Sequence, residues 1–345
     1  MSKILFKKWL SGEKLSNVAR ICIVVSPILL LVYIGCVLAH HYVPSFHLWS
    51  LTNFGVMGDF VGGMIGTLMA TAAALYVIKT YLHQIKQDSK NDKKTAILHM
   101  IKLHKENVDQ LRIVSMIGGE SQTYEGRYIF PILFQELQFV YDKTFTAINQ
   151  FLTKNNDVRY NAFREYNTMV NLALRLSYGF YFYDLSYHLT RDKNLPLYDI
   201  TKEVVAILTR DQAMNYYKSL HRNIVLSHYY RHLFNMVKFV DDSRSELKFK
   251  EREQLCIIIR SQLSDYEQVL LYYNVLSPLG VKWIEPLGKN EVDEMCLLCK
   301  YRLIKNIPCY ISYFGKDPAS VFRVEDKAWR DKDDKFFEVD MRLDI

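Results

Sequence analysis

Charge is missing from one long stretch of this chain. Between residues 21 and 78 the only formally charged side chain is Asp59, although 23% of the 345 residues are charged. That gap excludes an ordinary soluble enzyme as the default reading. Helix breakers are scarce as well, with 14 Gly and 8 Pro against 24 Tyr and 19 Phe, which favours helices. A hydrophobic share of 50% excludes wholesale disorder. Cys22, Cys36, Cys256, Cys296, Cys299 and Cys309 do not form a small-domain disulfide framework, and a reducing compartment suits the soluble part. The chain has no alternating βαβ pattern, no GxGxxG, no GxxxxGK[ST], no HExxH and no internal repeat. No cofactor or small-molecule substrate is therefore expected.

Two apolar runs occupy the uncharged stretch. Residues 21–39 reach ~30 Å as a helix at ~1.5 Å per residue, the thickness of a bilayer's hydrocarbon core. Residues 55–78 can span with some tilt. The first run is too long for a cleaved signal peptide, and a second span follows it. Pro27 is the kind of interruption that membrane helices tolerate. Lys3, Lys7, Lys8, Lys14 and Arg20 precede the first span, and Lys79, Lys86, Lys90, Lys93 and Lys94 follow the second. The loop over 40–57 has neither Lys nor Arg. The positive-inside rule then predicts both termini in the cytoplasm. These flanks account for part of the net charge of +7, so that charge is not read first as a nucleic-acid footprint.

Gly58, Gly62, Gly66, Ala70 and Ala74 recur every four residues in the second span, with Gly63, Thr67 and Thr71 in the adjacent row. Small-residue rows let helices approach closely in lipid. Two uses are open: packing against the first span, or self-association into an oligomer. Asp59 reads as an N-cap at the outer end of the span or, functionally, as a carboxylate lining a polar path between assembled hairpins.

Residues 80–95 are polar and read as a juxtamembrane stalk or linker. A helical stripe follows through Ile97, Ile101, His104, Val108, Leu111 and Ser115, with Gly118-Gly119 as its stop. Further helices are predicted over 128–152, 158–188, 198–209 and 211–241, with Leu195-Pro196 as a break. Ser264 and Glu267 form a capping box that predicts a helix over 265–276. From Gly315 onward the chain has nine acidic and seven basic residues, and most of 310–345 is expected to be a solvated tail. Val339, Met341, Leu343 and Ile345 alternate with Asp340, Arg342 and Asp344. That alternation fits a strand docking on a partner's sheet edge, or a loose terminus.

Several motifs are familiar. They are Gly58-Asp59-Phe60-Val61-Gly62-Gly63, His228-Tyr229-Tyr230-Arg231-His232-Leu233 and Lys238-Phe239-Val240-Asp241. Others are Arg260-Ser261-Gln262-Leu263-Ser264-Asp265-Tyr266-Glu267, Leu270-Leu271-Tyr272-Tyr273-Asn274 with Leu276-Ser277, and the weaker Gly126-Arg127. In this order they resemble the phage abortive-infection membrane protein family, from the hairpin to about Pro308. The resemblance implies a bacterial inner-membrane protein used against phage. It marks His228, Tyr230, Arg231, Arg260, Asp265, Glu267 and Asn274 as its soluble motif. Two-span members also look like the toxic effectors of retron defence systems, which implies a reverse transcriptase and its RNA-linked DNA as partners.

Catalytic candidates are few. Arg222-Asn223 followed by His228 resembles the Arg-x4–6-His motif of HEPN ribonucleases, where His would act on the ribose hydroxyl and Arg on phosphate charge. Against that, residues six apart do not share a helix face. His228 and His232 have metal-binding spacing but no obvious carboxylate companion. Cys296-Leu297-Leu298-Cys299 has CxxC spacing but reads better as a buried helix.

The expected fold is all-α, an N-terminal two-helix transmembrane hairpin plus a cytoplasmic helical domain. Its divisions are 1–20 basic N-terminus, 21–79 hairpin, 80–95 stalk, 96–309 helical domain and 310–345 charged tail. The expected function is an inner-membrane effector, a homo-oligomer when active, that permeabilises the membrane. A membrane-tethered ribonuclease and a non-toxic scaffold or sensor are the alternatives.

Overall fold

A computed structural model of the chain describes residues 12–42, 51–116, 121–189, 195–217, 221–285, 296–330 and 334–338. The chain divides into two compact units, Met1–Lys93 and Lys94–Ile345. Among the described residues the regular structure is helical apart from one short β-hairpin.

The first unit contains α1 (Gly12–Tyr42) and most of α2 (Leu51–Asp109). Both helices are long and apolar enough to cross a membrane. At ~1.5 Å per residue, the 59 residues of α2 reach about 88 Å. The polar stretch 80–95 is therefore a continuation of this helix.

The two helices run antiparallel. Ala19 and Cys22 pack with Leu68, Ala72 and Leu75, while Tyr33 meets Gly58 fourteen residues further along. The less exposed positions on α2 are Gly58, Val61, Ile65, Leu68, Ala72 and Leu75, a three–four alternation that marks a heptad seam. On α1, Ala19, Cys22, Ser26, Leu29, Tyr33 and Cys36 repeat it. At Gly58 the helices meet closely, since a Cβ there would come within 2.6 Å of the Tyr33 hydroxyl and that ring would have to shift.

The seam uses one stripe of each helix and leaves the rest uncovered. Only 11% and 6% of the residues in the two apolar windows are buried, and Leu31, Phe60 and Val77 are each about two-thirds exposed. A soluble core helix has the opposite profile.

The second unit begins within α2, whose Ile97 and Val108 are fully buried in its core. The helical stripe ends at Asp109, earlier than the sequence predicts. Arg112–Ser115 forms β1, paired antiparallel with β2 (Gln122–Glu125) in the register Ile113↔Tyr124. Ile113 and Val114 are β-branched, and burial alternates along β1, so its buried Ser115 also fitted a helical period. Gly126, at φ +57°, turns the chain into α3 (Ile129–Lys154) and donates its N–H to Leu111 O at 2.8 Å.

Helix α3 buries Leu133, Leu137, Val140, Thr144, Ile148 and Phe151 along one face. Each fully buried Leu, Ile or Phe is worth roughly 1.5–3 kcal/mol. The predicted helix over 158–188 is interrupted at Glu165, which adopts extended backbone between α4 (Asn161–Arg164) and α5 (Tyr166–Phe182). Leu195-Pro196 opens α6 (Leu195–Arg210), because proline is tolerated in a first turn. The helix predicted from 211 begins later, as α7 (Asn223–Asp242), since Asp211 caps a separate short turn through Ala213 N–H at 2.8 Å.

Helix α8 (Phe249–Ser261) went unrecognised in the sequence, its first turns being mostly charged. Helix α9 (Asp265–Leu276) matches its prediction and has the Ser264 cap. All of its residues from Glu267 to Val275 are buried, so it is a central helix packed on α3 and α5.

Beyond α10 (Leu297–Lys300) come α11 (Pro318–Val321) and α12 (Arg323–Arg330). Phe314, Phe322, Phe336 and Phe337 are buried in the core, and Glu338 N–H donates to Lys305 O at 2.8 Å. The stretch expected to be a solvated tail is thus anchored in the core at Phe314, Phe322, Phe336 and Phe337. Val339, Met341, Leu343 and Ile345 lie outside the described residues.

Candidate functional site

The soluble-motif residues fall into separate clusters within the second unit. Tyr230 and Arg231 on α7 and Asn274 on α9 line a cleft of about 440 Å³. Phe182 and Tyr183 at the end of α5, and Leu279, Lys282 and Trp283 after α9, complete much of its wall. Asn274 is fixed by a 2.8 Å hydrogen bond from its Nδ2 to the Tyr178 hydroxyl, and Tyr230 by one of 3.1 Å to Leu270 O. Trp283 is buried edge-on against Phe234, with centroids 5.0 Å apart. The turn carrying Lys282 and Trp283 lies close to α9 because residue 280 is glycine. A Cβ there would come within 2.2 Å of Asn274 O.

Glu267 and its neighbours make a second cluster. Its carboxylate accepts from Ser264 N–H and Oγ–H, each at 2.7 Å, and from the Tyr229 hydroxyl at 3.2 Å. Arg127 Nε approaches at 3.7 Å. Burial raises the Glu267 pKa above the ordinary range, against the pull of these donors. His104 from α2 and His232 from α7 stack beside Tyr229, with Nδ1 atoms 3.3 Å apart. That contact needs one ring to donate and the other to accept. Burial, then the nearby His232 and Arg127, lower His104 to about 4.

The pair proposed for ribonuclease chemistry is not brought together. Arg222 is buried and grips Glu136 of α3 in a two-pronged ion pair, with Nε–Oε2 2.9 Å and Nη2–Oε1 2.7 Å. The same carboxylate accepts from Ser115 at 2.8 Å, while Arg222 Nη2 also reaches Val114 O at 3.1 Å. His228 is exposed. His232 pairs with His104, and no cluster of three metal-binding side chains occurs among the described residues. Cys296 and Cys299 are both buried, joined by a Cys299 N–H···Sγ contact at 3.4 Å.

Asp241, from the family-like motifs, is the hub of a third cluster. Its carboxylate meets Arg244 at 2.6 Å, Arg252 at 2.9 Å, Lys300 at 3.0 Å and the Tyr301 hydroxyl at 2.6 Å. Burial works against its ionisation, but hydrogen bonds from Arg244, Tyr301 and Lys300 outweigh it and hold the carboxyl below its ordinary range. Arg260 is buried and donates to Arg302 O at 3.1 Å, and Asp265 accepts from Tyr310 at 3.1 Å.

In the first unit, Gly62, Gly63 and Gly66 face open space, since a Cβ on any of them would meet no described atom within 4 Å. Ala70 and Ala74 are exposed too. Gly58 alone of the glycines in that row touches the first helix. Asp59 lies eight residues inside α2, which corrects the N-cap reading, because the helix begins at Leu51.

Sequence reasoning missed Glu136, Lys282 and Trp283, and placed His104 only in a helical stripe. The one available signal was Glu136, a carboxylate embedded between Leu133 and Leu137 on an apolar face. A second cavity of about 550 Å³, lined by Lys154, Asp199, Lys202, Glu203 and Arg210 among others, mixes both signs of charge and contains none of the motif residues.

Two outcomes follow from these environments. Arg222→Ala strands a buried Glu136 and should cost about 3–5 kcal/mol, whereas His228→Ala at an exposed site should stay within about 0.5 kcal/mol. Denaturant unfolding of the two variants checks this. Because His104 is neutral when folded until about pH 4, while an unfolded histidine protonates near 6.5, the unfolded chain binds more protons between those values. Stability should be full above about pH 6.5 and fall by up to about 3 kcal/mol toward pH 4. His104→Gln should flatten that part of the pH–stability curve.

Residues 221–310 match the family described as "Putative phage abortive infection protein". The match takes in the cleft's α7 and α9 residues, the Asp241 cluster and Glu267, and stops short of the hairpin. No curated protein matches the chain, and no solved structure does. The family match supports a role in phage defence.

Proposed function

We propose that this chain is an inner-membrane effector of phage defence that permeabilises the membrane of the infected cell. In this reading the hairpin spans the bilayer twice, with both termini in the cytoplasm, as the Lys and Arg flanks favour. The observation that carries the reading is the division of labour on α2. The heptad seam serves the first helix, while Gly62, Gly66, Ala70 and Ala74 form a separate exposed row. In lipid, such a row favours close helix–helix contact, here with other copies. Asp59, four residues before Gly63 and within the span, would then sit among assembled hairpins. A carboxylate in that setting favours water and ions in its path.

The helical unit serves as the restrained or sensing part. By the resemblance to two-span retron effectors, its restraint comes from a reverse transcriptase and its RNA-linked DNA. The activity is non-enzymatic, and the structural use of Arg222 favours this over a ribonuclease.

The test follows dye entry, membrane potential and RNA integrity together in phage-challenged bacteria that express the locus. Depolarisation and dye entry with intact RNA are expected. RNA cleavage preceding depolarisation would contradict the reading. Gly62→Leu and Gly66→Leu should each abolish toxicity while the protein still accumulates in the membrane fraction.

A further inference from the structure

We propose that the cleft between α5, α7 and α9 binds a nucleotide. The inference rests on the cleft alone and stands whether or not the hairpin permeabilises a membrane. It also revises the expectation that the chain takes no small molecule.

Size comes first. About 440 Å³ lies in the range of pockets that enclose one small ligand. The lining then selects its chemistry. Half-buried Tyr183 and Phe234, backed by buried Tyr230 and Trp283, supply an aromatic wall. Arg231 and Lys282 supply two positive charges from different elements, and no carboxylate is among the described lining residues. A flat ring with an attached anion answers both features, the ring against the aromatics and the phosphate on the cations. Inorganic phosphate or a lipid headgroup would leave the aromatic wall unused.

Several cations of the same unit are already held in buried ion pairs. Arg222, Arg252, Lys300 and Arg302 are buried and committed to carboxylates. Arg231 and Lys282 are exposed and form no ion pair with a described residue. Their charge is available to a ligand. The site is also built rather than incidental. Asn274, buried and tied to Tyr178, fixes the floor, and Gly280 lets the Lys282–Trp283 turn approach α9. Ligand-binding geometry depends on such fixed support.

Nucleotide chemistry has two sources, a free nucleotide or the exposed end of a single strand. Calorimetric titration of the full chain in lipid nanodiscs separates them, using AMP, ADP, ribose 5-phosphate and a six-nucleotide single-stranded DNA. AMP or ADP should bind with Kd below about 1 mM, and ribose 5-phosphate at least about ten-fold more weakly. Binding by the DNA oligomer but not by the free nucleotides would assign the site to a strand end and still support the proposal. Arg231→Gln and Lys282→Gln should each weaken binding by about ten-fold or more. Being exposed, both variants should keep the melting temperature of the unliganded protein. The proposal is overturned by no binding of any nucleotide probe at 1 mM (roughly −4 kcal/mol). Equal affinity for AMP and ribose 5-phosphate, or affinity unchanged in both Gln variants, overturns it as well.

Discussion

Two antiparallel helices can bury only one stripe of each against the other. In this hairpin that stripe is a heptad seam from Ala19 to Cys36 on one helix and from Leu75 back to Gly58 on the other. Everything else on the two apolar stretches, 21–39 and 55–78, must be covered by something besides the chain. Exposed Leu31, Phe60 and Val77 are costly in water and at no cost in hydrocarbon. The polar content of the hairpin is arranged accordingly. Ser26, Thr67 and Thr71 turn their hydroxyls back onto helical carbonyls within their own helix. That leaves Asp59 as the charged group with no such internal solution.

The second unit solves the opposite problem. It is rich in charge and buries much of it. Glu136 with Arg222 ties the β-hairpin to α3 and the start of α7, and Asp241 gathers α7, α8 and the α10 region. Buried pairs of this kind contribute little net stability, yet breaking one partner is expensive. They therefore fix the arrangement of helices more than they strengthen it. The cleft lies on this scaffold, and its two outward cations, Arg231 and Lys282, are not part of these buried ion pairs.

How much of this was legible depended on the physical signal. Helix α9 was read to its ends, because the Ser264–Glu267 cap and the apolar run state its limits. The hairpin was legible from missing charge. The β-hairpin was not, since Leu111 and Ser115 fit a helical period and only the pairing of Ile113 with Tyr124 and of Ser115 with Gln122 distinguishes the two. Helix α8 was hidden because it buries Arg252 and Arg260, which look like surface residues until their acceptors are known. The burial of Phe322, Phe336 and Phe337 is hidden in the sequence by the charges around them. The cleft draws on α5, α7, α9 and a turn, and no local pattern announces such convergence. Tyr230, Arg231 and Asn274 stand in recognisable motifs, whereas Lys282 and Trp283 do not.

In the proposed mechanism one face of α2 serves the hairpin and another serves assembly. Site-specific cross-linking in native membranes tests it most directly. In a background with Cys22 and Cys36 replaced by Ser, a cysteine is placed at Gly66 or, separately, at Leu68 on the seam. After phage challenge, Gly66→Cys should give covalent dimers and Leu68→Cys should not. Dimers from Leu68→Cys and none from Gly66→Cys would contradict the account.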